Sequence, residues 1–202
     1  MPPQMDARRA AMKRRADKLL TLPDLLRPGL DIVFVGINPS VFSAERGHYF
    51  ARPSNRFWPC LSRSVLSASA RRALRVERLT PAHDRALLDH GIGFTDVVKR
   101  ATPKASDVAA GEFASGVRRL VATLEQYGPR VACFHGVTGY RHVHRALGGA
   151  DAAIELGLQS LRLGPTRLYL LPNPSGANAH VKPAEQTAWY DRLAGWLAID
   201  GA

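Results

Sequence analysis

Cysteine is nearly absent from this chain of 202 residues. Cys60 and Cys133 are the only two, too few for a disulfide framework or a cysteine-held cluster. One disulfide between them stays open, but two buried thiols in a reducing compartment fit better, because free cysteine behaves as a small core residue. Long hydrophobic runs are also missing. No apolar stretch approaches the roughly 20 residues of a membrane span, and residues 1–18 are charged throughout, without the apolar centre of a secretory signal. The expectation is a soluble, intracellular protein. No Gly-x-Gly-x-x-Gly or P-loop pattern follows a strand, which disfavours a nucleotide-binding protein acting on small molecules. His135, His142 and His144 lack accompanying cysteine or carboxylate spacing. They read as helix-surface and loop residues rather than a metal set, so neither metal nor cofactor is expected.

Negative charge is scarce as well: 17 Asp and Glu stand against 28 Lys and Arg, for a formal net charge of +11. Such a balance favours a polyanionic partner, nucleic acid first, over a basic surface that only maintains solubility. Hydrophobic residues are plentiful, at 46%, which at this length supports a single packed domain. Residues 1–21 are expected to form a basic helix or arm, carrying Arg8, Arg9, Lys13, Arg14, Arg15 and Lys18. It is either a solvated face or a DNA-contacting arm. Pro23 and Pro28 then separate it from a domain over residues 22–202.

Within that domain, residues 31–35 (DIVFV) and 130–134 (RVACF) are short apolar runs suited to strands buried on both faces. Residues 93–98 (GFTDVV) form a third such stretch. Two further strands, 158–163 and 167–171, flank a turn at Gly164-Pro165. Helices are expected over 55–66, from Thr80-Pro81 to Gly91, over 111–127, from Gly136 to about Leu147, and around Trp189, Leu193, Trp196 and Leu197. Strands alternating with helices imply an α/β fold, a three-layer α/β/α sandwich with a short, mostly parallel central sheet. Such sheets hold ligands at the carboxyl ends of their strands.

That rule points to two loops. One is GINPS (36–40), continuing to GHYFARPSNRFW (47–58); the other is PNPSGAN (172–178). Each sets an asparagine before a proline, Asn38-Pro39 and Asn173-Pro174, directly after a buried run. Proline stiffens both its own residue and the one before it. Each carboxamide is therefore a fixed donor–acceptor pair, able to read a base edge or hold a water, unless the Asn-Pro merely starts a turn.

These blocks, with GFTDVVKRATPKASD (93–107) between them, resemble the mismatch-specific uracil-DNA and thymine-DNA glycosylase family from about Leu30 to Leu197. The resemblance implies the uracil-DNA glycosylase fold and hydrolysis of the bond between a base and deoxyribose. By motif position it assigns Asn38 to the attacking water and Phe50 to stacking on a flipped base. The backbone at Gly36, Ile37 and Ser43 would line the pocket, and Asn173 would contact base or sugar–phosphate. Residues 175–179 (Ser175, Gly176, Ala177, Asn178, Ala179) would enter the duplex. Relatives carry a larger apolar residue or an arginine in that wedge, whereas here the first substantial side chain is His180. Discrimination against matched duplex is then expected to be relaxed. The implied partner is double-stranded DNA bearing uracil or a mismatch, with single strands as an alternative, bound by a monomer.

Two expectations rest on this sequence alone. Arg52, Arg56, Lys99, Arg100 and Lys182 lie in or beside these loops and are candidate phosphate contacts, with His180 nearby. Asp96, within the apolar stretch 93–98 that is expected to form a strand ending near the same sheet edge, is a candidate catalytic partner for Asn38, because a carboxamide can orient water but cannot take its proton. The competing role for Asp96 is capping Thr95 or pairing with Lys99 or Arg100. A damage-binding module that keeps the pocket without catalysis is the second functional reading.

Overall fold

The computed structural model describes residues 20–150 and 154–200. The basic arm therefore lies outside the described residues except for Leu20 and Thr21. Five strands form one sheet: β1 (Ile32–Gly36), β2 (Ile92–Asp96), β3 (Val131–His135), β4 (Gly157–Leu163) and β5 (Thr166–Leu171). Their order is β2-β1-β3-β5-β4. The first four in that order run parallel, and β4 pairs antiparallel with β5 as a hairpin.

Every residue of β1, β2 and β3 is buried, which a parallel strand covered on both faces requires. Successive side chains point to opposite faces and build two cores. Ile32, Phe34, Ile92, Phe94, Val131, Cys133, Tyr169 and Leu171 face one way. They pack on Phe57 and Leu61 of α2 (Phe57–Arg63) and on Tyr190 and Leu193 of the long C-terminal helix Pro183–Asp200. Val33, Val35, Ala132, Phe134, Leu168 and Leu170 face the other way. There they meet Phe113, Val117, Leu120 and Leu124 of the helix Ala110–Tyr127, and Tyr140 and Val143 of the helix Val137–Ala146. Two cores separated by one sheet make the expected three layers. Emptying a position such as Leu120, fully buried, would cost about 2–5 kcal/mol.

With α1 (Val41–Arg46) and α3 (Ala68–Leu74), the helices number α1 to α6 in chain order: Ala110–Tyr127 is α4, Val137–Ala146 is α5 and Pro183–Asp200 is α6. Helix α4 stops where Gly128 turns left-handed at φ 55 and donates its N–H to Leu124 O. Both cysteines are free and buried. No helix among the described residues is long and apolar enough to cross a membrane.

Three local expectations need correction. The helix expected over 55–66 is α2 followed by a separate 3-10 turn, Val65–Ser67, with Ser64 between them in extended conformation. Thr80 and Gly91 do bound a helical region, but it is two 3-10 turns, Pro81–His83 and Ala86–His90, and not one α-helix. His135 is neither a loop nor a helix-surface residue. It is the last residue of β3, 4% exposed.

Candidate active site

Parallel strands in register deliver their following loops to one side. Gly36 of β1 lies beside Asp96 of β2, and His135 of β3 beside Leu171 of β5. Past these ends lies a cavity of about 500 Å³, within the range typical of small-ligand sites. Gly36, Ile37, Asn38, Ser43, Phe50, Asp96 and Asn173 all line it. Two loops far apart in sequence thus meet over one hollow.

Asn38 is fixed by its surroundings. Its Nδ2 donates to Arg100 O at 2.9 Å and to Thr102 Oγ1 at 2.7 Å. The Thr102 hydroxyl gives its own proton to Lys104 O at 2.6 Å, so towards Asn38 it must accept. Both partners are acceptors, which settles the amide orientation and leaves Oδ1 as the group available to accept from a water. The Arg100 side chain is held elsewhere: its guanidinium forks onto Glu112, at 2.6 and 2.8 Å. Those bonds, with the Ala109 N–H, pull the Glu112 carboxyl down to about 2. Arg100 therefore serves Asn38 through its carbonyl.

Asp96 is 3% exposed, and its Oδ2 is buried without a hydrogen-bond partner among the described residues. Burial raises its pKa to about 7; Lys99 and Arg119 oppose that shift and Asp24 adds to it. Space for the carboxyl exists because position 36 is glycine: a Cβ there would collide with Asp96 Oδ1. Behind it, Asp24 collects Thr95 Oγ1 at 2.6 Å, Lys99 Nζ at 2.7 Å and Arg119 Nη1 at 3.0 Å. Arg119 also donates to the Asp96 carbonyl. Asp96 thus neither caps Thr95 nor bonds Lys99; Asp24 takes both of those partners.

Phe50 has a left-handed backbone, φ 53, a conformation that costs a residue with a side chain roughly 1–2 kcal/mol. Its flanking groups hold it there. Tyr49 N donates to Asp84 at 3.0 Å, Tyr49 O accepts from Trp58 Nε1 at 2.9 Å, and Ala51 N donates to Ser43 Oγ at 3.1 Å. The ring stacks on Phe57, with centroids 4.2 Å apart and planes 20° from parallel. Strain so held is a mark of functional positions. Ser43 is set in place to accept from Ala51 by Ser40, which caps α1 and accepts from Ser43 N at 3.1 Å.

His135 and Asn173 complete the lining. His135 Nε2 lies 3.1 Å from the Tyr190 hydroxyl, while Nδ1 is buried without a partner among the described residues. Burial lowers its pKa to about 3, so the ring is neutral at neutral pH. Asn173 Oδ1 accepts from Ser175 N at 2.9 Å, which leaves Nδ2 as the donor its side chain can offer.

The candidate phosphate contacts separate into three groups. Arg52 and Lys182 are exposed, with Arg52 on the cavity rim. Lys99 and Arg100 are ion-paired with Asp24 and Glu112. Arg56 donates to the carbonyls of Ser175, Asn178 and Val181. Ser175 and Ala177 line the cavity, whereas Gly176, Asn178 and His180 do not. Thr102, Lys104 and His135 also line the cavity although the sequence motifs did not single them out; Thr102 and Lys104 sit inside the ATPKASD stretch (101–107). Among the described residues no three His, Cys, Asp or Glu side chains converge as a metal set.

The family model described as Uracil DNA glycosylase superfamily matches residues 23–194. Among solved structures, the chain is similar to a protein from Methanosarcina acetivorans, determined by solution NMR and named as a candidate uracil DNA glycosylase. The TM-score is 0.53 at 21% identity, covering 87% of this chain and 98% of that one. At that identity the likeness is one of fold.

Proposed function

The chain belongs to the uracil DNA glycosylase superfamily, and from that premise we propose that it hydrolyses the N-glycosidic bond of uracil in DNA, leaving an abasic site. The observation that carries this reading is the convergence, in one cavity, of the Asn38 acceptor, the Asp96 carboxyl, the Phe50 ring and the Asn173 amide. A base stacked in a duplex cannot reach such a hollow, so it is extruded into it. Phe50, backed by Phe57, offers a stacking face.

A water accepted by Asn38 Oδ1 and in reach of Asp96 attacks C1′ of the deoxyribose. The bond from C1′ to the base nitrogen breaks, and its electron pair leaves with the base as an anion. The Asp96 carboxylate takes the proton of the attacking water, and that proton passes on to the departing base. Donors aimed at the leaving base, Asn173 Nδ2 among them, stabilise the negative charge as it develops. Arg52 and Lys182, with Lys104 at the cavity, supply phosphate contacts. Thymine and other damaged pyrimidines are proposed as further substrates, and the G/U mismatch type as the finer class.

Single-turnover reactions with enzyme in excess over U:G, U:A, T:G and single-stranded uracil oligonucleotides, followed by alkali, test the proposal. Alkali-labile strand breaks at uracil are the expected result, with U:A cleaved nearly as fast as U:G because the wedge side chains are small. Tight binding without any alkali-labile site would make the protein a damage-binding module instead.

A further inference from the structure

We propose that Arg56 is a positioning residue that holds residues 175–181 as a preformed wedge, so that the fixed backbone of this loop, rather than one bulky side chain, fills the space left by an extruded base. The proposal rests on the glycosylase reading. Its starting point is a contradiction within the loop. Residues 177–179 (Ala177, Asn178, Ala179) are too small to plug a gap in a base stack, yet the loop lies against the cavity through Ser175 and Ala177.

Arg56 resolves it. The backbone N–H of Arg56 donates to Pro174 O at 2.8 Å. Its guanidinium donates to Ser175 O at 3.0 Å, and to the carbonyls of Asn178 and Val181. One residue therefore satisfies four carbonyls between positions 174 and 181. A guanidinium does this where an ammonium does not, because its donors lie in a rigid plane and reach several acceptors at fixed angles. Inside the loop, Asn178 N donates to Ser175 O at 2.9 Å and Asn178 Nδ2 to Asn173 O at 3.0 Å. On the outer side, a Cβ at Gly176 would meet Ser54 O at 2.5 Å, so the loop packs directly on the segment that carries Arg56. Surface loops ordinarily leave such carbonyls to water and become ordered only on binding. Here the order is in place beforehand. The same bonds engage the guanidinium with protein, which separates Arg56 from the phosphate contacts expected of it.

The test uses the full chain and three variants: Arg56→Gln, Arg56→Lys and Gly176→Ala, the last disturbing the loop without altering Arg56. Each is assayed in single turnover on uracil paired with guanine, on uracil opposite an abasic analogue, and on single-stranded uracil. Backbone amide exchange is followed in the free proteins. The expected result is a loss of about 10- to 100-fold on paired uracil, the scale of a misplaced positioning group, with the other two substrates nearly unchanged. Amides of residues 176–181 should exchange faster while the core amides keep their protection. Equal losses on all three substrates would overturn the proposal, as would unchanged exchange at 176–181 in Arg56→Gln. An Arg56→Lys protein with wild-type excision of paired uracil would also overturn it, because charge alone would then suffice. If the wild-type chain removes uracil from none of the substrates, the glycosylase reading fails, and the exchange comparison still decides the clamp separately.

Discussion

The carboxyl of Asp96 must be ionised to accept a proton, in a place whose burial opposes ionisation. With its pKa raised to about 7, excision should climb as pH rises through 7 and level off above it. Asp96→Asn should remove that rise and lower the rate by about 10²–10⁴-fold. Rates measured from pH 5.5 to 9 decide the point, and a wild-type-like profile in Asp96→Asn would leave Asn38 as the sole catalytic side chain. The same shift has a consequence for stability. A folded-state pKa above the ordinary 3.8 means that the unfolded chain releases this proton first. The contribution of Asp96 to stability is therefore complete near pH 3, declines as pH rises, and is fully lost above about 7. Asp96→Asn should melt higher than wild type above pH 7, by an amount equivalent to up to about 4 kcal/mol, and the gap should close towards pH 4. Of the residues that line this cavity, Asn38 and Asp96 could be placed from the sequence because they lie at or just past the ends of apolar strands, whereas Phe50, in a loop between two helices, was reached only through the resemblance of its motif. Thr102 and His135 were reached by neither route, because their roles are partnerships: the hydroxyl matters through Asn38, and the imidazole through its burial beside Tyr190.

At the level of elements, the loop that carries Phe50 behaves as a tied knot between α1 and α2. Its conformation is set by Asp84, Trp58 and Ser43, so the cost of the left-handed Phe50 backbone is borne by the surrounding bonds. Phe50→Ala and Phe50→Gly should both lose base capture and therefore excision. Phe50→Gly should nevertheless be the more stable of the two by about 1 kcal/mol, since only glycine adopts positive φ freely. Thermal melts beside excision rates check this, and wild-type excision by Phe50→Ala would return the ring to a packing role. The parallel strands were readable as apolar runs, and so were the caps at Thr80 and Gly91. Helices α1 and α3, of 6 and 7 residues, were not: elements of two turns or fewer display too little of the 3.6-residue period to be recognised. The two 3-10 turns between Pro81 and His90 were read as a single helix because capping residues mark ends without fixing what lies between them.

For the molecule as a whole, a formal charge of +11 predicts DNA binding that weakens steeply with salt. The structure sorts the basic residues that matter. Neutralising Arg52 or Lys182, both exposed, should lower the slope of log affinity against log salt by about one unit each and leave base preference unchanged. Neutralising Lys99 or Arg100, each held in an ion pair, should leave the slope as it was; titrations at several salt concentrations distinguish the two classes. The sheet that gathers these loops also binds two of its positions into one inheritance. Gly36 and Asp96 are neighbours in register, and the carboxylate occupies the volume a side chain at 36 would need. Substitutions at touching positions do not add: Gly36→Ala should cost more while Asp96 is present, because its carboxylate must turn out of that volume, than once position 96 has become small. A line of descent that fills position 36 with a side chain therefore passes most easily through an earlier change at position 96.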